Sequence, residues 1–362
     1  MSRAFESVRI GPWDLPQRFV MAPLTRNRAG DGHAPTELNA TYYAQRASAG
    51  LIITEGTAPS AVGQGYLNVP GLYTEDQVTG WKLVADAVHA KGGYVVAQLM
   101  HAGRIAHSDN KNGLETVAPS AITAPGEMVT AEGPKPHVTP RALETAEIPA
   151  LIQEYVQASR NAIAAGLDGV EVHAANGYLL HQFLDPASNT RDDAYGGSPQ
   201  GRARLTVEVV KAVAEAIGAD RVGVRISPGH QFNGIVEDDT DDVAATYAAV
   251  VNGIAPLTLA YLSILAANGT DIAADLGARF GGPVLLNDGF GDVTSLESVN
   301  RVLDAGLAEA VVVGRPFLAT PDLPARWEAG RELNEPNPDT FYGGGAEGYT
   351  DYPTISELEK AS

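Results

Sequence analysis

The chain has 362 residues, 44% of them hydrophobic, no cysteine, and a formal net charge of −19 at pH 7. The charge argues against nucleic-acid backbones and anionic membranes as partners, and the missing cysteines exclude disulfides, thiolate nucleophiles and iron–sulfur clusters. No apolar stretch reaches about 18 residues and the first residues lack the pattern of a secretory leader, so a cytoplasmic protein is expected.

In chain order, apolar β-branched runs alternate with helical patterns. The runs fall at 20–24, 51–55, 94–99, 169–172, 222–226, 259–265, 284–286 and 310–313. Between them, Thr74-Glu75-Asp76-Gln77 reads as a capping box that opens a helix with Trp81, Val84 and Val88 on one face. Ser198 and Pro199 read as an N-cap and first helical residue, followed by Leu205, Val209, Val213 and Ile217, with Gly218 as the stop. Eight strand–helix units predict a closed parallel (β/α)8 barrel formed as a single domain over 1–362. Two segments break the rhythm. Residues 8–19, with Gly11-Pro12 and Leu15-Pro16, suit a hairpin that closes the bottom of the barrel. Residues 101–146, dense in Pro and Gly, form an insertion after the third strand and are expected to cap the active face as a lid or rim.

A barrel collects its chemistry at the C-terminal ends of its strands. Those ends carry Thr25 with Arg26, Glu55 to Thr57, Gln98 with His101 and Arg104, then His173 with Asn176 and Tyr178, Arg225, Asn287 to Gly289, and Gly314 with Arg315. Taken singly, Gln98 reads as a satisfied polar group of the barrel interior, Arg225 as an ion-pair partner and Thr25 as a turn residue. Their coincidence at one end points to a ligand. Asn287-Asp288-Gly289-Phe290-Gly291 and Gly314-Arg315 offer backbone donors and a guanidinium, as a phosphate needs, although the glycines equally suit plain turns. The G-x-G-x-x-G run at 343–348 follows no strand and opens no helix, so it is not a dinucleotide fingerprint.

These motifs resemble the old yellow enzyme family of flavin-dependent ene-reductases, close to its bacterial members that act on enones, nitrate esters and nitro compounds. The likeness runs through Met21-Ala22-Pro23-Leu24-Thr25-Arg26, Ile53-Thr54-Glu55-Gly56-Thr57, Ala97-Gln98-Leu99 and His101-Ala102-Gly103-Arg104. It continues through the long central stretch from Asp168 and through Val313-Gly314-Arg315-Pro316-Phe317 and Thr340-Phe341-Tyr342-Gly343. The resemblance implies FMN as cofactor and NADPH or NADH as reductant. It implies that Thr25, Gln98 and Arg225 contact the flavin ring, that Pro23, Leu24 and Ala58 line it, and that Gly289, Gly314 and Arg315 hold the phosphate. His173 and Asn176 would bond the oxygen of an activated alkene or nitro compound, Tyr178 would deliver a proton, and Tyr66 and Tyr342 would flank the substrate. The chain is expected to act as a monomer or homodimer. Asn176 stands where some relatives have histidine, Met100 where bacterial relatives often have tryptophan, and Thr25 where the thermophilic-like subgroup has cysteine. The competing reading is a metal-dependent barrel hydrolase using His101, His173 and acidic residues, but no His-x-His pair follows the first strand.

Overall fold

The computed structural model describes residues 2–266, 271–287, 289, 291 and 293–361. Strands β1 (Val8–Ile10) and β2 (Trp13–Leu15) form an antiparallel hairpin. Its buried Ile10, Trp13 and Leu15 pack into a cluster with Val20, Leu51, Val96, Leu285, Ala310 and Val312 of the barrel interior. The turn fits closely: a Cβ on Gly11, at φ +54°, would lie 2.5 Å from the Asp220 carbonyl and 2.9 Å from the Ala260 Cβ. The hairpin therefore plugs the barrel at the N-terminal ends of its strands, as expected.

The barrel itself begins with β3 (Phe19–Met21), followed by helix α1 (Glu37–Gln45), β4 (Leu51–Ile53), α2 (Glu75–His89) and β5 (Tyr94–Leu99). The insertion follows, with β6 (Val117–Ala118), β7 (Glu127–Thr130), β8 (Gly133–Pro136) and β9 (Arg141–Ala142). Then come α3 (Ile148–Ala164), β10 (Gly169–Ala174), α4 (Leu179–Leu184), α5 (Pro199–Ile217), β11 (Val222–Ile226), α6 (Thr240–Ile254) and β12 (Tyr261–Leu265). The barrel ends with α7 (Asp271–Phe280), β13 (Val284–Asn287), α8 (Leu296–Asp304) and β14 (Ala310–Val313), after which α9 (Arg315–Ala319), α10 (Leu323–Glu328) and α11 (Ile355–Ala361) follow. Strands β10 to β14 and β3 to β5 close in that order, all parallel. This is the expected (β/α)8 barrel.

Local chemistry explains the element ends. Thr74 Oγ1 accepts the Gln77 N–H at 3.3 Å while Gln77 Oε1 accepts the Thr74 N–H at 3.1 Å, which completes the capping box of α2. Ser198 Oγ accepts the Gly201 N–H at 3.1 Å to start α5, and Gly218, at φ +94°, ends it. The first barrel strand stops at Met21 rather than reaching residue 24, because Pro23 has no N–H for the ladder. Residues freed in this way line the site instead. The second strand stops at Ile53, and the Glu55 N–H goes to the Tyr43 hydroxyl at 3.1 Å.

The insertion is ordered around short strands of its own. Strands β7 and β8 pair as a hairpin, and β6 pairs with β9. Met128 of β7 packs with Met100, Ile105, Ala124 and Tyr178, so the insertion reaches the active face as a lid. Among the described residues no helix is long and apolar enough to cross a membrane.

Candidate active site

A cavity of about 770 Å³ opens at the C-terminal ends of the barrel strands. Pro23, Leu24 and Thr25 enter it from the segment after β3, Gln98 from β5, His173 from β10 and Arg225 from β11. Asn176 and Tyr178 come from the turn after β10, and Gly289, Gly314 and Arg315 from the segments after β13 and β14. Tyr66 and Tyr342 complete the set, with Tyr342 at the mouth and 69% exposed. Ala58 is not part of the wall. It is buried beside the site, its N–H given to the Pro70 carbonyl and its own carbonyl accepting the Leu72 N–H. Asp288 and Phe290 of the expected phosphate loop lie outside the described residues.

Strand register builds the floor. Parallel pairing sets Gln98 beside Glu171, and His173 beside Arg225. Glu171 and His173 lie two residues apart and share a face of β10. Gln98 Nε2 donates to Glu171 Oε1 at 2.7 Å, so the carboxylate orients the amide. Burial raises the Glu171 carboxyl, opposed mainly by Arg225, and burial lowers the Arg225 guanidinium, opposed mainly by Glu171. The Tyr261 ring crosses this layer, and a Cβ on Gly223 would fall 2.2 Å from it. Only glycine leaves room there.

Arg225 Nε and Nη1 are buried without a hydrogen-bond partner among the described residues, and so are His173 Nδ1 and Asn176 Oδ1. Unpaired buried polar groups are costly, which marks these atoms as ligand-facing. Burial foremost, then Arg225 and His181, holds the His173 imidazole well below its ordinary value, so it is neutral and can donate from one nitrogen. The Tyr178 and Tyr66 hydroxyls are 2.9 Å apart, and burial raises both phenols. The Tyr178 ring also lies 5.2 Å, centroid to centroid, from that of His173.

Other strand-end residues serve the frame. Arg26 is fully buried; its Nε donates to the Phe341 carbonyl at 2.9 Å and its Nη2 to that of Gly348 at 2.7 Å. Arg28 Nη2 donates to the Thr340 carbonyl at 2.9 Å. Together with Arg28 Nε, which donates to the Gly345 carbonyl at 3.0 Å, they strap residues 340–348 to the rim. Glu55 Oε2 accepts the Arg26 N–H at 3.1 Å, and burial foremost raises its carboxyl to about 7. His101, which the hydrolase reading requires, is buried away from the cavity with Nδ1 accepting the Gly103 N–H at 3.1 Å. Arg104 Nη2 donates to the Gly234 carbonyl at 2.7 Å and likewise lies off the wall.

The wall also contains residues that the sequence did not single out: Asn68, Val129, Phe232, Thr294 and Phe341. Glu171 beneath it was equally unmarked, although its two-residue spacing from His173 was a usable signal. Met100 does line the cavity, and its Sδ would lie 2.5 Å from a Cβ on Gly56.

A profile of the NADH:flavin oxidoreductase / NADH oxidase family matches residues 3–334. A chanoclavine-I aldehyde reductase from Penicillium roqueforti is 44% identical over 100% of this chain and 99% of its own length. Morphinone reductase in complex with tetrahydroNAD superposes with a TM-score of 0.91 at 43% identity, covering 97% of each chain. An old yellow enzyme homologue from Zymomonas mobilis gives a TM-score of 0.91 at 40% identity, covering 97% of this chain and 99% of that one. The family match over a (β/α)8 barrel defines a flavin-dependent oxidoreductase with FMN as its cofactor. The chain belongs to the NADH:flavin oxidoreductase / NADH oxidase family and is of the old yellow enzyme type.

Proposed function

We propose that the enzyme uses NADPH or NADH to reduce the activated C=C bond of α,β-unsaturated carbonyl and nitro compounds, and that it also reduces nitrate esters, by cleavage to alcohol and nitrite. The observation that carries this reading is the placement of His173, Asn176 and Tyr178 on the wall of the same cavity as Gln98 and Arg225. The donor set fits FMN: Gln98 would meet the pyrimidine edge and Arg225 the position where negative charge collects, with its unpartnered Nε and Nη1 available there. Thr25 would bond the carbonyl near N5, Pro23 and Leu24 would line the ring, and Gly289, Gly314 and Arg315 would hold the phosphate. When bound, FMN supplies the two-electron chemistry between nicotinamide and alkene.

The neutral His173 imidazole and the Asn176 amide donate to the substrate's carbonyl or nitro oxygen, drawing electron density out of the double bond and stabilising the enolate or nitronate that develops. Tyr178 gives its proton to the α-carbon. A phenol raised above its ordinary value stays protonated through the physiological range and acts only against a strongly basic carbanion-like acceptor. Tyr66 and Tyr342 flank the substrate, with Val129 of the lid on the same wall. The enzyme works on small molecules in the cytoplasm, as a monomer or homodimer.

The test is a spectrum of the purified protein, anaerobic addition of NADPH or NADH, and then 2-cyclohexenone. A yellow protein that bleaches with the nicotinamide and recovers its colour with the enone supports the proposal. A protein that stays bleached when the enone is added contradicts it.

A further inference from the structure

The turn that carries Asn176 and leads to Tyr178 runs through two consecutive residues in the left-handed region, Asn176 at φ +57° and Gly177 at φ +79°. For asparagine this conformation is uncommon. Four side chains outside the cavity wall hold it. The Asn176 N–H donates to Ser227 Oγ at 2.9 Å, and its carbonyl accepts from Asn233 Nδ2 at 2.9 Å. The Gly177 N–H donates to His181 Nδ1 at 3.0 Å, and its carbonyl accepts from Gln182 Nε2 at 2.7 Å. Each backbone polar group of the turn is thus fixed by a side chain.

His181 differs from the other three because its role depends on where its proton sits. Nδ1 accepts from a backbone N–H, so in the neutral ring the proton is on Nε2. Nε2 lies 3.1 Å from Glu237 Oε1 and 2.9 Å from the Tyr247 hydroxyl. The Tyr247 hydroxyl in turn donates to Glu237 Oε1 at 3.0 Å, while Glu237 Oε2 accepts the Gly229 N–H at 2.6 Å. His181 and Tyr247 are fully buried and Glu237 nearly so. An ionised carboxylate only accepts hydrogen bonds, so Glu237 selects the ring form with its proton on Nε2 and leaves Nδ1 free to receive Gly177.

We propose that His181, held in its Nε2–H form by Glu237 and Tyr247, is a positioning residue that presents the Asn176 amide to the substrate oxygen. This rests on the reading that Asn176 bonds that oxygen. The network touches neither substrate nor cofactor and acts through the Asn176–Gly177 backbone.

Glu237→Gln probes it with nearly unchanged shape. An amide in place of the carboxylate must turn its NH₂ either to the Gly229 N–H, donor against donor, or to His181. In the second case the imidazole proton is driven to Nδ1, where it opposes the Gly177 N–H. The experiment titrates 4-chlorophenol into the FMN-loaded protein by calorimetry, the phenol oxygen serving as the probe for the His173–Asn176 pair. Wild type, Asn176→Ala, Glu237→Gln and the double variant form a cycle. Asn176→Ala is expected to weaken binding about tenfold, the loss of one good hydrogen bond. Glu237→Gln is expected to weaken it by a similar factor in the wild-type background and by less than about twofold when Asn176 is already alanine. Equal losses in both backgrounds, or no loss in the wild-type background, would overturn the proposal, because the network would then not act through Asn176. Unchanged binding in Asn176→Ala alone is a separate result that removes Asn176 from the substrate site and this proposal with it. Should Glu237→Gln fail to fold, Tyr247→Phe, which deletes one hydroxyl of the same network, is read in the same cycle.

Discussion

Tyr178 holds its proton tightly, since burial and the adjacent Tyr66 both raise its phenol. Tyr178→Phe is therefore expected to slow enone reduction by about 10²-fold or more, the usual worth of a positioned acid, while reduction of the enzyme by nicotinamide keeps its rate. Anaerobic stopped-flow absorbance separates the two halves, and equal slowing of both would take the proton-donor role from Tyr178. Glu55 gives a prediction on stability. Its carboxyl is raised from 4.5 to about 7, so the folded chain holds this proton more tightly than the unfolded chain. Stability from this group is complete below about 4.5 and is lost as pH rises through about 7. Urea unfolding of Glu55→Gln across that window should lack a decline on the order of 2 kcal/mol that the parent shows; parallel curves would refute it. At this scale the sequence marked His173, Asn176, Tyr178 and Arg225 because each follows or ends a strong β-branched run. It did not mark Glu171, whose meaning depends on which residue the neighbouring strand sets beside it. Ala58 sits beside the wall rather than on it, where β4 has ended and the backbone pairs with Pro70 and Leu72.

Among the elements, β11 shows how tightly the layer below the site is specified. Its Gly223 faces the Tyr261 ring of β12, and an added methyl would enter that ring's space. Gly223→Ala is expected to destabilise the fold by about 1–3 kcal/mol through overpacking, and to disturb Glu171 and Gln98 through the displaced ring. A lowered urea midpoint with weaker FMN retention is the expected result, and an unchanged midpoint would show that the layer yields. The barrel strands were legible because apolar runs of three to seven residues, rich in β-branched side chains, between capped helices admit few other readings. The lid strands were not. They are two to four residues long, β8 is Gly-Pro-Lys-Pro, and their pairing depends on contacts made after the lid has folded over Met100 and Tyr178.

For the whole molecule, the cavity joins segments from both ends of the barrel sequence, so a ligand that fills it should stabilise the chain globally. Apoprotein melting should rise as FMN is added, by about 2.7 kcal/mol of unfolding free energy at a hundredfold excess over its dissociation constant. Arg225→Ala should blunt the rise. Calorimetric scans at several FMN concentrations test this, and a midpoint indifferent to FMN would detach the cofactor from this cavity. The strap made by Arg26 and Arg28 has a temporal consequence as well. The final barrel strand ends at Val313, yet Phe341 and Tyr342 still form part of the wall. A nascent polypeptide that has released only the barrel can fold its strands but cannot close the pocket's mouth. The substrate's side of the pocket is therefore completed last, and a chain clipped before Thr340 is expected to keep its FMN contacts, all at or before Arg315, while binding the enone more weakly.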